Sequence, residues 1–584
     1  MGYAGITLGG AAIGGLLAMV DEVLIARFMG PSTYGLYAIG FMLARIGSII
    51  AAFGLPVTIL HFLPVHLTRG EMKQALGSIV GAVLMPLIAG GLFALGLRAL
   101  SGWFAVSVFN DPGAAVYIDT LALLAPLIAL TEVLGHIARA FGHALHYVII
   151  RNLAPPIVYL LAILGVSHLG GPHIAIAYSL IGAYVCGALL GLIFVGQFAL
   201  AVIGPIRPQL ELRALYAYAF PVLLNASVSL GLLWTDLFQL GIFTNAVTVG
   251  IYRACMQVVV AFDVIGATFS AAVGPIYPVL IAQRRHDQLR NTYLAAVHLA
   301  TLLATPLFLL VLCNSDDLLA MLGPRFTAGA VALSILAFGH FLKVCLGTAA
   351  VLLVLGGRQR LEAGNATVAA ALNIMLNYLL IPRLGLVGAA TSTCTSLIVL
   401  SALRLIQVSR AFPVTTLDPA IFRVVLVTLP LAVVSSSAFA FAGFGQGTGI
   451  PHLIARLIML TVMISLAIWF VCLSKSERAM LGGLLTRRNV EATPDSTERS
   501  PATAEHCSAA ITGKRRHLIS RSDMHSVGVR PRSRCAPGWP SNRPAAAWPT
   551  PPIPYRSRSL HRSKNRSRDR SVRPAQYRLR RATP

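Results

Sequence analysis

Apolar runs of 18 or more residues recur along most of the chain, each closed by a short polar break. That length suits a helix crossing a hydrocarbon core of about 30 Å at about 1.5 Å per residue. Read against the breaks, the runs predict about fourteen helices, at 3–28, 34–63, 76–101, 115–140, 146–168, 173–203, 213–241, 247–280, 290–313, 328–355, 361–381, 384–408, 420–443 and 450–473. Backbone polar groups in lipid must pair within their own segment, so helices are the natural reading. The expected fold class is an all-α polytopic membrane protein. Interior prolines at Pro126, Pro155, Pro156 and Pro221 predict kinks beside a cavity.

The positions of Lys and Arg orient these spans. Connections after the even-numbered spans carry Arg69 and Lys73, Arg139 and Arg151, Arg207 and Arg213, Arg284, Arg285 and Arg290, Arg358 and Arg360, and Arg404 and Arg410. Those at 169–172, 242–246 and 444–449 carry none, and Arg325 and Arg383 are the exceptions. Basic residues concentrate on cytoplasmic loops, which places both termini in the cytoplasm of a multi-pass inner-membrane protein. The first residues run straight into an apolar helix, with no basic region and no small-residue cleavage site that would mark a signal peptide.

Composition changes one part of this picture. The 584 residues carry a net charge of +25, but 22 of the 46 Lys and Arg lie from Arg487 onward with 6 of the 21 acidic residues. The preceding membrane part is therefore at +9. The segment 487–584 is rich in Pro, Ser, Ala and Arg and lacks apolar runs, so it reads as a disordered cytoplasmic tail. Anionic lipid, non-specific nucleic acid, and an out-of-frame reading of the gene are its alternatives. None of the 8 cysteines forms a CxxC pair, so neither a disulfide framework nor a zinc site is expected.

The stretch DEVLIARFMGPSTYGLYAIG (21–40) interrupts the apolar pattern with Asp21, Glu22 and Arg27. An ungapped shift of 215 residues lays it on DLFQLGIFTNAVTVGIYRAC (236–255). Asp21 then matches Asp236, Gly35 matches Gly250 and Tyr37 matches Tyr252. The same shift pairs Arg69 with Arg284, Gly142 with Gly357 and Gly170 with Gly385. Span 1 maps onto span 7 and span 6 onto span 12, so the halves are parallel repeats, with a site expected between them. The expected organisation is a six-helix lobe at 1–205, a second at 206–410, two further transmembrane helices at 411–486 and the tail.

Charge at membrane depth costs about 2.5–3.5 kcal/mol on insertion scales and marks a pathway or a pair. Arg45 and Lys343 lie near mid-span, too deep to snorkel, which favours lining a cavity. Arg27 and Arg253 lie near span ends, where snorkelling and function are equally open. Asp21, Asp236 and Asp263 read either as sites for a coupling proton or Na⁺ or as neutralising partners; Glu22 pairing locally with Arg27 is one such alternative. Glu132 carries less of that signal. Asn225, Ser227, Ser229, Thr235, Gln239 and Gln257 either meet sugar hydroxyls or hold helices together. His136 and His143 share a helix face but have no carboxylate or Cys partner at ligand spacing. No P-loop, HExxH or GxSxG motif is present, so no ATP-driven pump, enzyme or cofactor is expected.

LIARFMGPSTYGLYAIG (24–40), TDLFQLGIFTNAVTVGIYRA (235–254), PIYPVLIAQRRHDQL (275–289) and NYLLIPRLGLVGAATSTCTSL (377–397) resemble the oligosaccharide flippases, or polysaccharide biosynthesis proteins. These belong to the multidrug/oligosaccharidyl-lipid/polysaccharide exporter superfamily. The resemblance runs over roughly residues 3–475. It implies two six-helix lobes around a central cavity, with two extra helices. It also implies a polyprenyl-diphosphate-linked glycan moved to the outer leaflet by alternating access, with membrane lipids, a polysaccharide polymerase and glycosyltransferases as partners. Relatives that flip the peptidoglycan precursor have functional arginines in spans 1, 2 and 8, which favours Arg27, Arg45 and Arg253 as substrate-binding residues, with Lys343 beside them. Asp21 and Glu22 depart from those relatives, which are basic there. A multidrug or toxin extruder, or a peptidoglycan lipid-precursor flippase, of the same superfamily is the alternative.

Overall fold

The computed structural model describes residues 3–412, with backbone alone at 3–6, 8 and 225–233. The spans expected at 420–443 and 450–473 and the basic tail lie outside the described residues. Within them the chain is helical throughout. The main helices are α1 (Tyr3–Ala52), α2 (Leu55–Arg69), α3 (Met72–Ala99), α4 (Ala114–Leu121), α5 (Leu124–Ala140) and α6 (Ala154–His168). They continue as α7 (Ile174–Val202), α8 (Leu212–Phe243), α9 (Ala246–Val273), α10 (His286–Cys313), α11 (Ala330–Cys345) and α12 (Gln359–Ala411).

Among the described residues nine helical stretches are long and apolar enough to cross a membrane. Twelve spans are expected over these residues, and two things account for the difference. The helix Leu212–Phe243 is 32 residues long, but its side chains at 225–233 lie outside the described residues, so only Leu212–Leu224 of it is counted, as a shorter apolar stretch. And two stretches are hairpins rather than rods. In α1, Gly30 takes a left-handed φ of 69°, and the fixed φ of Pro31 starts the next arm without an intervening loop. Tyr34 Oη therefore donates to Glu22 at 2.5 Å, although twelve residues of straight helix would separate them by about 18 Å. In α12 the left-handed turn is at Gly385, with φ 54°. Across it Asn365 and Gln407 exchange amide hydrogen bonds of 2.7 Å, and Glu362 pairs with Arg404.

Proline shapes the other departures. Pro155 has no N–H to offer the preceding turn, and its ring crowds the carbonyl of Arg151. The helix opens there into a π-helical turn, Ile149–Leu153, just before α6. Gly10 and Gly14 of α1 lie against this turn: a Cβ on Gly14 would stand 2.3 Å from the Asn152 carbonyl oxygen.

Two glycine pairs related by the 215-residue shift share left-handed backbone angles. Gly142 and Gly357 have φ of 87° and 79°, and Gly170 and Gly385 have 65° and 54°. The matched glycines Gly35 and Gly250 also pack on one another's hairpins. A Cβ on Gly35 would lie 1.7 Å from the Ala246 carbonyl oxygen, and one on Gly250 would lie 2.1 Å from that of Pro31. Pro31 and Ala246 are themselves related by the same shift. The contact is thus reciprocal, as across a two-fold axis. The main apolar core runs through it, joining Ile25, Tyr34 and Met42 of α1 to Val249, Tyr252 and Phe262 of α9.

Candidate functional site

A chamber of about 510 Å³ opens between α1, α5, α6, α7 and α9. That size falls in the usual range for a ligand cavity. Its charge is arranged in pairs. Glu22 accepts from Arg253 Nη2 at 2.5 Å, joining residues 231 apart in the chain and one from each repeat. The guanidinium also stands 5.5 Å from the ring centre of Phe41 and 5.2 Å from that of Trp234. A cation over two aromatic faces gains further attraction. Glu132 of α5 accepts from Arg151 Nε at 2.8 Å, and Arg151 also donates to Tyr147 Oη at 3.0 Å.

Two charges in the chamber wall stand outside these pairs. Arg45 faces the chamber with no ion pair among the described residues. Asp21 is only 3% exposed, and its Oδ1 has no hydrogen-bond partner among the described residues. The tyrosine matched to Tyr252 in the first repeat, Tyr37, meets Tyr159 at 3.2 Å instead of Asp21.

The matched carboxylate in the second repeat is fully engaged. Asp236 is 1% exposed and accepts from Tyr252 at 2.7 Å, from Asn377 at 2.6 Å and from Thr393. The α12 hairpin builds this cluster: Asn373 and Asn377 sit one turn apart on one arm, and Thr393 faces them from the other. Asn373 donates to Thr393 at 3.4 Å and Asn377 to Asn373 at 3.2 Å. The Asn377 Oδ1 is buried without a hydrogen-bond partner among the described residues. The result is a compact group of buried oxygens around one carboxylate.

The remaining expected residues lie elsewhere. Lys343 of α11 pairs with Asp263 of α9 at 2.8 Å, and His340 Nδ1 is 3.3 Å from the same oxygen. None of the three lines the chamber. Arg27 is exposed and also outside it. Glu22, read from the sequence as a local partner of Arg27, is held by Arg253. The bulk of α1 separates Arg27 from the cavity, since position 27 turns away from the face that carries Asp21, Glu22 and Ile25. Of the small polar side chains, Gln257 lines the chamber, while Gln239 donates to the Ile374 carbonyl at 3.4 Å. Thr235 makes contacts within the fold, and the side chains at 225, 227 and 229 lie outside the described residues. His143 stacks on Phe198 at 4.0 Å, and His136 Nδ1 is 2.8 Å from the Glu132 carbonyl oxygen.

Sequence reasoning overlooked Arg151 as a chamber residue, because it reads as a loop flank. It also gave Asn373 and Thr393 no role. The spacing Asn373–Asn377, opposite Thr393 across a hairpin turning at Gly385, was the available signal.

The described residues thus form a helical, multi-pass membrane protein with a chamber of paired charges. The model of the family "Polysaccharide biosynthesis protein" matches residues 4–282, and that of the family "MatE" matches 221–379. A probable flippase of Haloferax volcanii, AglR, is 26% identical over 245 residues, 41% of this chain and 50% of that one. The chain thus spans about half the length of that curated relative. Among solved structures, the lipid II flippase MurJ in an inward closed conformation superposes with a TM-score of 0.58 at 14% identity, covering 79% of this chain and 98% of that one. An inward-facing multidrug resistance MATE transporter superposes at 0.57 and 15% identity, covering 68% and 95%. The first of these family matches, over residues 4–282, takes in just under half of the chain and marks a likeness to the polysaccharide biosynthesis proteins. These relatives are transporters and flippases, not enzymes.

Proposed function

We propose that the protein carries a polyprenyl-diphosphate-linked glycan across the inner membrane by alternating access, within two six-helix lobes and two further helices, fourteen in all. The observation that carries the reading is Arg45, which makes no ion pair among the described residues while the other arginines of the chamber do. A diphosphate is the group that such a fork recognises, through two parallel charge-assisted hydrogen bonds. Arg253 contributes once Glu22 yields to the incoming anion. Gln257, Asn152 and the chamber tyrosines offer the donors and ring faces that a sugar needs. Asp236, with Asn373, Asn377 and Thr393, suits a proton or a small monovalent cation, since hard cations take oxygen ligands. Asp21 is a second candidate for coupling. Asp263, held by Lys343, serves structure in this reading. The termini are cytoplasmic, and a polymerase and glycosyltransferases act on the same glycan before and after transport.

The test is charge reversal at the chamber. Arg45→Glu abolishes surface glycan while the protein still reaches the membrane at normal levels. Normal glycan export in that variant removes Arg45 from the site. A second reading, extrusion of cationic drugs, is favoured by one observation: the unpartnered Asp21 beside Tyr37, Phe41 and Tyr159. Deletion then sensitises cells to cationic drugs and leaves surface glycan intact, the opposite of what the flippase reading expects.

A further inference from the structure

A second cavity, of about 220 Å³, abuts the chamber and shares Arg45, Ile128 and Glu132 with it. Beyond those shared residues its wall is apolar or backbone: Ile49, Ala52, Pro56, Val57, Ala129 and Val222. Its one further polar side chain, Ser48, spends its hydroxyl on the Arg45 carbonyl at 2.7 Å. Val57, in the same wall, is 54% exposed, so the limb reaches the outside of the helix bundle there. Gly54, in a left-handed turn at φ 73°, lets α2 start against α8: a Cβ there would lie 2.5 Å from the Ala219 carbonyl oxygen. The limb is thus walled by both repeats.

We infer that this limb is a binding site for the first isoprene units of the lipid carrier, with Arg45 gripping the diphosphate at the junction. The inference rests on the flippase reading above. It adds where the apolar part of the substrate goes. Three parts of such a substrate follow one another covalently: apolar chain, diphosphate, glycan. Three parts of the cavity follow one another in the same order: apolar limb, Arg45, polar chamber. A half-buried guanidinium between an apolar limb and a chamber lined with charges is poorly placed for a free sugar or a soluble anion, which would leave the limb unfilled. The limb is too small for a whole polyprenyl chain, so the rest of the chain leaves past Val57 into lipid.

The test uses the full chain in lipid nanodiscs, with empty nanodiscs as the control for partitioning. Farnesyl diphosphate carries the diphosphate with three isoprene units; inorganic diphosphate carries none. Calorimetric titration of the wild type is expected to show farnesyl diphosphate binding at least about tenfold tighter, given about 0.8 kcal/mol per buried CH₂ and incomplete burial. Ala129→Phe fills the limb from within, and Val57→Trp blocks its exposed mouth without touching the packed interior. Each is expected to weaken farnesyl diphosphate at least tenfold and inorganic diphosphate less than twofold. Equal binding of the two ligands by the wild type, or farnesyl binding unchanged in both variants, overturns the limb and leaves the diphosphate reading standing. A wild type that binds neither ligand overturns both.

Discussion

The cross-repeat pair of Glu22 and Arg253 gives the most exacting prediction. Their side chains are 15% and 16% exposed, and the contact is 2.5 Å. Glu22→Gln leaves the guanidinium buried without a counter-charge, and breaking a buried pair this way costs about 3–5 kcal/mol. The rings of Phe41 and Trp234 still face that cation, at 5.5 and 5.2 Å, and return about 0.5–2 kcal/mol. The net loss expected for Glu22→Gln is therefore about 1–4.5 kcal/mol. Arg253→Gln leaves Glu22 with the Tyr34 hydroxyl as its donor, at a similar cost. The double variant Glu22→Gln/Arg253→Gln removes both charges, so it is expected to lose less than the two single losses together by at least about 1 kcal/mol. The charge swap Glu22→Arg/Arg253→Glu is expected to recover less than half. It would set a carboxylate against the negative faces of two rings, and ring faces repel anions. Reversible unfolding in mild detergent, read as a double-mutant cycle, measures all of this. Single losses below about 1 kcal/mol, additivity within about 0.5 kcal/mol, or full rescue by the swap refutes the reasoning.

Other outcomes follow from the same geometry. Gly35→Ala and Gly250→Ala each force the two hairpins apart at the carbonyls of Ala246 and Pro31, costing about 1–3 kcal/mol or more in unfolding assays. The double variant costs little beyond the worse single, because the first substitution has already opened the contact. Asp236→Ala strands the Tyr252, Asn377 and Thr393 donors and costs about 3 kcal/mol or more in thermal unfolding, while Asp236→Asn retains an acceptor and costs less. Arg27→Ala leaves glycan export within about twofold of wild type in cells where Arg45→Glu abolishes it; a charge-steering contribution from an exposed residue is of that order.

Helix placement was legible because membrane spans announce themselves by length and hydropathy alone. The hairpin turns were legible for a different reason. Gly30-Pro31 and Gly385 sit between runs each long enough to cross, and no other residue accepts those backbone angles as cheaply. What a linear reading misses is register across the bundle. Glu22 and Arg253 lie 231 residues apart, and their pairing depends on how α1 meets α9, which the chain order does not encode. Local thinking therefore pairs Glu22 with Arg27, five residues away and on another face. Arg151 went unseen because a basic residue near a polar break looks like a loop flank. The π-helical turn before Pro155 swings it into the chamber. The 215-residue shift offered a long-range clue: it matched Gly35 with Gly250, but gave no sign that the two hairpins touch there.

That touching ties two positions together. A contact in which a residue meets its counterpart under the 215-residue shift has the form of a two-fold homodimer contact, but here both sides lie on one polypeptide. In a homodimer any change at the axis appears twice, and Asp21 and Asp236 would be one residue with one set of neighbours. On a single chain each carboxylate has its own. Asp236 is enclosed by Tyr252, Asn377 and Thr393, whereas Asp21 lines the chamber with an Oδ1 that has no partner among the described residues. A near-symmetric contact thus sits beside two unlike carboxylates, a division of labour that a dimer of identical chains in identical surroundings cannot reach.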